Sequence, residues 1–459
     1  MSGRCLGLLG LSLCLSGSLG FSSGCDGGIK QGGPAGSGPA GQSGQMGQTG
    51  TGGQGQAGAA TAGQGAGTAG STGGSAGAGG ATGTAGSIGP AGSAGATGTA
   101  GVAGTAGAGG APTAGSTGVA GATVLTDPGK DGDGDFTVPS GFKPDPANNA
   151  TGAPQGKIIT FVMSSADSKI YPGRKGAYMR NVWAYVPAQY VAGTPAPVIV
   201  VQDGGWAVWF GTNGTHTPSS GTAALLPGTA NLPRILDNYI SMAKLPKIVA
   251  LFVDNGGGDA EGSERGLEYD TVSGRFAEFI DQEVMPRAIV EAKTQLSLDL
   301  AFTKDPQGRA TMGGSSGGAG SFSMAWFHPD LFARVISFSG TFVRQASPED
   351  PMYPHGCWAY HDYDPFDATA PNGVIMKEPV PKPIRVWHEV GQNDMGAGSG
   401  PGSYRDFKLA NQRMAASFAA KGYHYHFDYA MGAGHVDGGM IAQTLPGALL
   451  WLWRGYPVN

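Results

Sequence analysis

The sequence predicts an α/β fold over residues 123–459, with a mostly parallel sheet covered by helices on both faces. Three observations predict it. Short apolar runs rich in Val and Ile recur along this part of the chain, such as "APVIVVQDGG" and "KIVALFVDNGGG". Segments with helical spacing of apolar residues separate them, and several of the runs end in glycine. Strands that are apolar on every residue are buried on both faces, and parallel neighbours need crossover helices. Ligands in such sheets bind beyond the strand carboxyl ends.

The first 122 of the 459 residues are different material. "MSGRCLGLLGLSLCLSGSLGFSSGC" has one Arg, an apolar run and then small residues, which is an export-signal pattern over 1–25. Ser22, Ser23 and Gly24 precede Cys25 as in a lipoprotein cleavage box, although Ser22 stands where Leu is usual. The pattern implies either a lipidated Cys25 on a membrane facing the periplasm or exterior, or a freely secreted chain. Residues 26–122 are almost wholly Gly, Ala, Thr, Ser and Gln and cannot bury enough apolar surface to offset the entropy of ordering. Gly recurs at every third position from Gly74 to Gly110, but too few prolines accompany it for a collagen helix. The segment is read as a disordered tether spanning roughly 50–60 Å. Cys5 and Cys14 leave with the signal, so Cys25 and Cys357 form no disulfide framework and the domain must rest on its core. Formal net charge is −5 with no basic patch, which argues against a nucleic-acid partner.

"TVLTDPGKDGDGDFTVP" marks the start of the globular part. Asp131, Asp133 and Asp135 alternate as in a calcium loop, but Phe142 stands where the closing Glu belongs, so the stretch reads as a solvated turn. "KIITFVMSSADSKIY" and "MRNVWAYVP" are the first strands, followed by the buried strand in "APVIVVQDGG". "NLPRILDNYISMAKL" is a helix, "KIVALFVDNGGG" a buried strand, and "TVSGRFAEFIDQEVMPRAIVEA" an amphipathic helix. "RATMG" is strand and "GAGSFSMAWFHPDLF" helix. Strands in "ARVISFSG", "KPIRVWHEV" and "YHYHFDYAM" follow, with helices in "YRDFKLANQRMAASFAAKG" and "TLPGALLWLWRG".

"RATMGGSSGGAGSF" sets a glycine cluster at a strand-to-helix turn. A serine strained on such a turn needs Gly two places before and after it, and G-x-S-x-G is met twice, for Ser315 and for Ser316. A serine nucleophile needs a base, and the base an orienting acid. In the order Ser, acid, His, the polar turns after later strands offer Asp394 in "GQNDMG" and His435 in "GAGHVDGG". Glu389 lies inside a strand, Asp437 is too close to His435 in sequence, and His424 and His426 alternate along one strand as structural residues. No His/Asp cluster has metal-ligand spacing, and the chemistry requires no cofactor.

From about Lys157 to Trp453 the chain resembles the putative-esterase branch of the α/β-hydrolases, which includes esterase D, enterochelin esterase and bacterial feruloyl esterases. "VIVVQDGG", "EYDTVSGRFAEFIDQEVMPRA", "GGSSGGAGSF", "GQND" and "GAGH" carry the likeness. It implies an α/β-hydrolase fold and a serine esterase. It places the nucleophile at Ser315, and Ser316, where relatives carry Met or Leu, is the departure. The oxyanion donors it implies are the Ser316 N–H and an N–H of the "QDGGW" loop, with Gly205 expected and Trp206 in reserve. Arg265 and Glu268 match an Arg and a Glu that the family often has near this place and are read as lining the mouth of the site, an internal ion pair being the alternative. Trp206, with Trp209 and Phe210, is read as an aromatic platform for an acyl group or sugar, and Trp358, with Tyr353, His355 and Tyr360, as acyl-pocket wall; core packing is the other reading. Cys357 is read as a packing residue. The expected function is exported hydrolysis of a carboxylic ester, glycan-linked or a small siderophore-like molecule. Acyl transfer on the same fold and a non-catalytic surface binding module are the competing readings.

Overall fold

The computed structural model describes residues 129–149, 151–210, 229–257, 263–345, 350–361 and 373–458. The signal, Cys25 and the tether lie outside the described residues. All described residues fall in one compact unit, Gly110–Asn459.

Nine strands form the main sheet: β1 (Gly134–Val138), β2 (Lys157–Ser164), β3 (Met179–Val186), β5 (Val198–Gln202), β6 (Val249–Val253), β8 (Arg309–Gly314), β9 (Arg334–Phe338), β10 (Arg385–Gly391) and β11 (His424–Ala430). Their order is β1-β11-β10-β9-β8-β5-β6-β3-β2. The two-residue strands β4 (Pro195–Ala196) and β7 (Ala301–Phe302) pair separately. Every neighbouring pair from β1 to β6 is parallel, and β3 runs against both β6 and β2. The chain is thus an α/β-hydrolase fold with a mostly parallel sheet.

Alternation along the central strands shows why these runs are apolar throughout. Val198 and Val200 of β5 join one core while Ile199 and Val201 join the other. In β6, Val249, Leu251 and Val253 face the first core and Ala250 and Phe252 the second. The first face is covered by α3 (Glu264–Tyr269), α4 (Arg275–Phe279), α5 (Met285–Leu296), α6 (Ser316–Phe327) and α8 (Phe407–Lys421), with the short α7 (Val374–Lys377) beside α8. A π-helical turn, Ile280–Val284, joins α4 to α5, so the long amphipathic segment of the sequence is one interrupted helix. The second face is covered by α1 (Ala207–Phe210), α2 (Leu232–Ser241) and α9 (Gly438–Leu452).

The solvated-turn reading holds at Asp131 and Gly132, and β1 corrects it from Gly134 onward. Gly134–Val138 pairs in parallel with His426–Ala430 at the sheet edge. Asp133 accepts from His424 Nδ1 at 2.7 Å, the Gly132 carbonyl meets His426 Nδ1 at 2.6 Å, and Asp135 accepts from Tyr425 Oη at 3.0 Å. Phe136 stacks on the His426 ring at 4.3 Å. The two strand histidines are thus partly buried fasteners for β1.

One strand in from the other edge, Arg180 of β3 is ion-paired with Glu268 of α3, and both side chains are almost fully buried. Glu268 also accepts from Tyr178 Oη at 2.9 Å and from the Gly256 N–H at 3.1 Å. Removing one partner of such a pair strands a buried charge. Glu268→Ala is therefore expected to lower the unfolding free energy by about 3–5 kcal/mol, read from urea midpoints at unchanged m-value.

Candidate active site

Strand β8 ends at Gly314 and α6 begins at Ser316, so one residue makes the whole turn. That residue is Ser315, at φ 57° and ψ −128°. A non-glycine residue there costs roughly 1–3 kcal/mol and persists only when its surroundings hold it. Both of its backbone groups are held: its N–H donates to the Phe338 carbonyl at 2.9 Å, and its carbonyl accepts from the Thr341 N–H at 3.0 Å. The flanking glycines follow from the same turn. A Cβ on Gly313 would lie 2.5 Å from the Gly317 backbone, and one on Gly317 would lie 3.0 Å from Asp203 Oδ2. Of the two registers, the turn takes the one centred on Ser315. Ser316 is buried in the first turn of α6, its hydroxyl 3.3 Å from Gln345 Nε2.

Two later turns converge on Ser315. His435 follows β11, with Nε2 2.9 Å from Ser315 Oγ and Nδ1 2.6 Å from Asp394 Oδ1. Phe407 packs edge-on against the imidazole at 5.0 Å. The Asp394 side chain is wholly buried, whereas that of His435 is 22 % exposed. The two turns touch directly: a Cβ on Gly391 would lie 2.4 Å from the Gly434 carbonyl, and the Asn393 N–H donates to the Ala433 carbonyl at 2.9 Å. An imidazole placed between a hydroxyl and a buried carboxylate can take the hydroxyl's proton while the carboxylate steadies the resulting cation. The rival acid Glu389 is buried in β10, and burial followed by the nearby Asp428 pushes its carboxyl well above the usual range.

Sequence reasoning did not single out Ser339 or Thr341. Ser339, at φ 50°, donates to Asp394 Oδ2 at 2.6 Å and accepts from the Val436 N–H at 3.0 Å, so one hydroxyl joins the acid to the histidine loop. Thr341 Oγ1 lies 3.4 Å from Ser315 Oγ. "SFSGT", which begins in the last two residues of β9, was the only signal for either.

Several expectations are corrected. Glu268 is buried on Arg180, and Arg265 is buried on Asp203, with Nε–Oδ1 at 3.0 Å and Nη2–Oδ2 at 2.8 Å. Each meets a partner inside the domain, so neither lines an open mouth. Trp358 is fully buried among His361, Tyr404 and Arg413, and Tyr360 is buried against Phe322. Trp209 and Phe210 are core residues. Trp206 alone of that aromatic group stays half-buried beside the elbow: a Cβ on Gly314 would lie 3.4 Å from its ring. Gly205 sits in the expected loop, but its N–H donates to Asp254 Oδ1 at 2.8 Å rather than standing open for an oxyanion. The reserve donor, the Trp206 N–H, is turned to the Asp203 carbonyl at 2.9 Å. Cys357 is buried, and burial pushes its thiol far up, as suits a packing residue. A cavity of about 290 Å³ beside β2 and β3, lined by Tyr171, Tyr178 and Arg180 among others, includes neither Ser315, Asp394 nor His435.

The family model described as "Putative esterase" matches residues 178–452. The chain belongs to that family. Among solved structures it is similar to the enterobactin esterase of Shigella flexneri, at 18 % identity over 67 % of this chain with TM-score 0.43. The chain spans 62 % of the length of that protein. It is also similar to a ferulic acid esterase of Anaeromyces mucronatus solved with ferulic acid, at 15 % identity over 69 % of this chain and 98 % of that one, with TM-score 0.43. No curated protein matches its sequence.

Ser339 offers a test of how the acid is positioned. A hydrogen bond to a buried charged group contributes about 1.5–3 kcal/mol, so Ser339→Ala is expected to lower kcat/KM of the esterase about 10- to 100-fold. Turnover of p-nitrophenyl acetate checks it, with near-UV circular dichroism to verify the fold.

Proposed function

We propose that this esterase hydrolyses its ester through a covalent acyl-enzyme on Ser315. The observation that carries the reading is the unbroken line of contacts from Ser315 Oγ to His435 Nε2 at 2.9 Å and from His435 Nδ1 to Asp394 Oδ1 at 2.6 Å. In this reading His435 takes the Ser315 proton as the oxygen attacks the ester carbonyl. The tetrahedral oxyanion forms beside the Ser316 N–H, which opens α6 where no preceding carbonyl of the helix serves it. His435 then gives the proton to the leaving alkoxide, so the alcohol departs neutral. Water enters, His435 takes one of its protons, and the second collapse releases the carboxylic acid and restores the serine.

We propose further that the ester is extracellular, on a glycan or a small siderophore-like molecule, and that the protein is exported and either held to a membrane through Cys25 or released. The export pattern of residues 1–25 and the Gly/Ala-rich tether support this part. Turnover of p-nitrophenyl, feruloyl and acetyl-xylan esters would sort the substrate classes, and membrane fractionation of a Cys25→Ser chain would test attachment.

If the three side chains act as one unit, Ser315→Ala should lower kcat on the order of 10⁶-fold and abolish covalent labelling by a fluorophosphonate. Ser316→Ala should keep activity, because only its backbone is used. Full activity of Ser315→Ala, or labelling that moves to Ser316, would overturn the assignment.

A further inference from the structure

The loop after β5 touches the elbow, yet all three of its consecutive N–H groups are engaged elsewhere. The Gly204 N–H donates to the Val253 carbonyl at 3.0 Å, the Gly205 N–H to Asp254 Oδ1 at 2.8 Å, and the Trp206 N–H to the Asp203 carbonyl at 2.9 Å. The first and third are backbone contacts that fix the loop's path. The second goes to a side chain at the end of β6. Asp254 is anchored where its carboxylate can hold the loop: its own N–H donates to the Asn181 carbonyl at 3.1 Å, its carbonyl accepts from Arg180, and Asn181 Nδ2 lies 3.4 Å from Oδ2. Acyl transfer on a serine of this kind calls for two amide donors, one next to the nucleophile and one from this loop.

We propose that Asp254 is a positioning residue that holds the second oxyanion donor turned away in the resting enzyme, and that the Gly204–Gly205 peptide rotates to deliver the Gly205 N–H when the tetrahedral intermediate forms. The inference rests on the Ser315 reading above. The local sequence suits the motion. Rotating one peptide plane changes ψ of Gly204 and φ of Gly205 while both Cα atoms stay in place, and glycine admits the required angles on both sides. The surroundings forbid a side chain at either position: a Cβ on Gly204 would lie 2.4 Å from the β6 backbone, and one on Gly205 would lie 2.6 Å from Asp254 Oδ1. A developing oxyanion competes with the Asp254 carboxylate for one N–H, and a carboxylate so close also repels the charge that forms. Both effects make Asp254 a brake on the chemical step rather than on ester binding.

The test is Asp254→Asn in the full chain. The amide keeps the size and the acceptor but removes the charge, and charged acceptors bind N–H groups about twice as strongly as neutral ones. A rise of about fivefold in kcat/KM for p-nitrophenyl acetate, carried by kcat with KM unchanged, is expected. Phenylboronic acid, which presents a tetrahedral oxygen to the same donors, should inhibit the variant more tightly by a similar factor. Unchanged or reduced kcat at an unchanged melting temperature would overturn the proposal, because the carboxylate would then hold the loop in its working position. A second measurement needs no variant: a crystal structure of the wild-type boronate adduct should show the Gly205 N–H on the boronate oxygen, and an N–H still on Asp254 would equally overturn it. Failure of the underlying reading looks different, since the wild-type protein would then leave Ser315 unlabelled by fluorophosphonate.

Discussion

One left-handed residue organises this molecule. Ser315 is held at φ 57° because β9 grips its N–H from the Phe338 carbonyl and the turn after β9 grips its carbonyl through the Thr341 N–H. The strain is local, but its support is spread over the sheet. β8 must lie beside β9 in register, α6 must leave at once, and glycines must stand at 313 and 317 to let the backbones pass. The same β9 turn then supplies Ser339, whose hydroxyl binds the acid and the histidine loop together. The segment that locks the serine therefore also sets the spacing of the other two groups.

Buried charges around this centre are neutralised in pairs rather than exposed to substrate. Asp203 takes Arg265 by two nitrogens and Asn255 Nδ2 at 2.6 Å, directly behind the elbow. Glu268 takes Arg180 one helical turn further along the same helix. Such pairs contribute little net stability against an apolar replacement, yet losing one partner is costly, so they act mainly to fix geometry. Here they fix the loop after β5 against α3, next to Ser315.

Much of the fold was legible because burial imposes two periods on the sequence. Runs such as Val198–Val201 and Val249–Val253 are apolar on every residue because alternate side chains enter different cores. The three groups that converge were legible for a different reason: Ser315, Asp394 and His435 each occupy a glycine-flanked polar turn after a strand. What escaped was set by partners far away in sequence. "KDGDGDFTV" reads as a turn because its strand character comes from His424, Tyr425 and His426, about 290 residues later. The two serine registers share one glycine pattern, and in the structure the backbone angle of Ser315 and its contact with His435 separate them. A charge after a strand looks the same whether its partner is substrate or an internal residue, so Arg265 and Glu268 read as mouth residues although each is buried on a partner inside the domain. The direction of the Gly205 N–H depends on Asp254 and leaves no trace in the loop's own sequence.

The edge strand β1 carries one more implication. It runs parallel to β11, so Gly134 lies beside His426 near the start of that strand, whereas His435 follows the strand's far end. A chain entering the domain through Gly129 and β1 thus arrives at the pole of the sheet opposite Ser315.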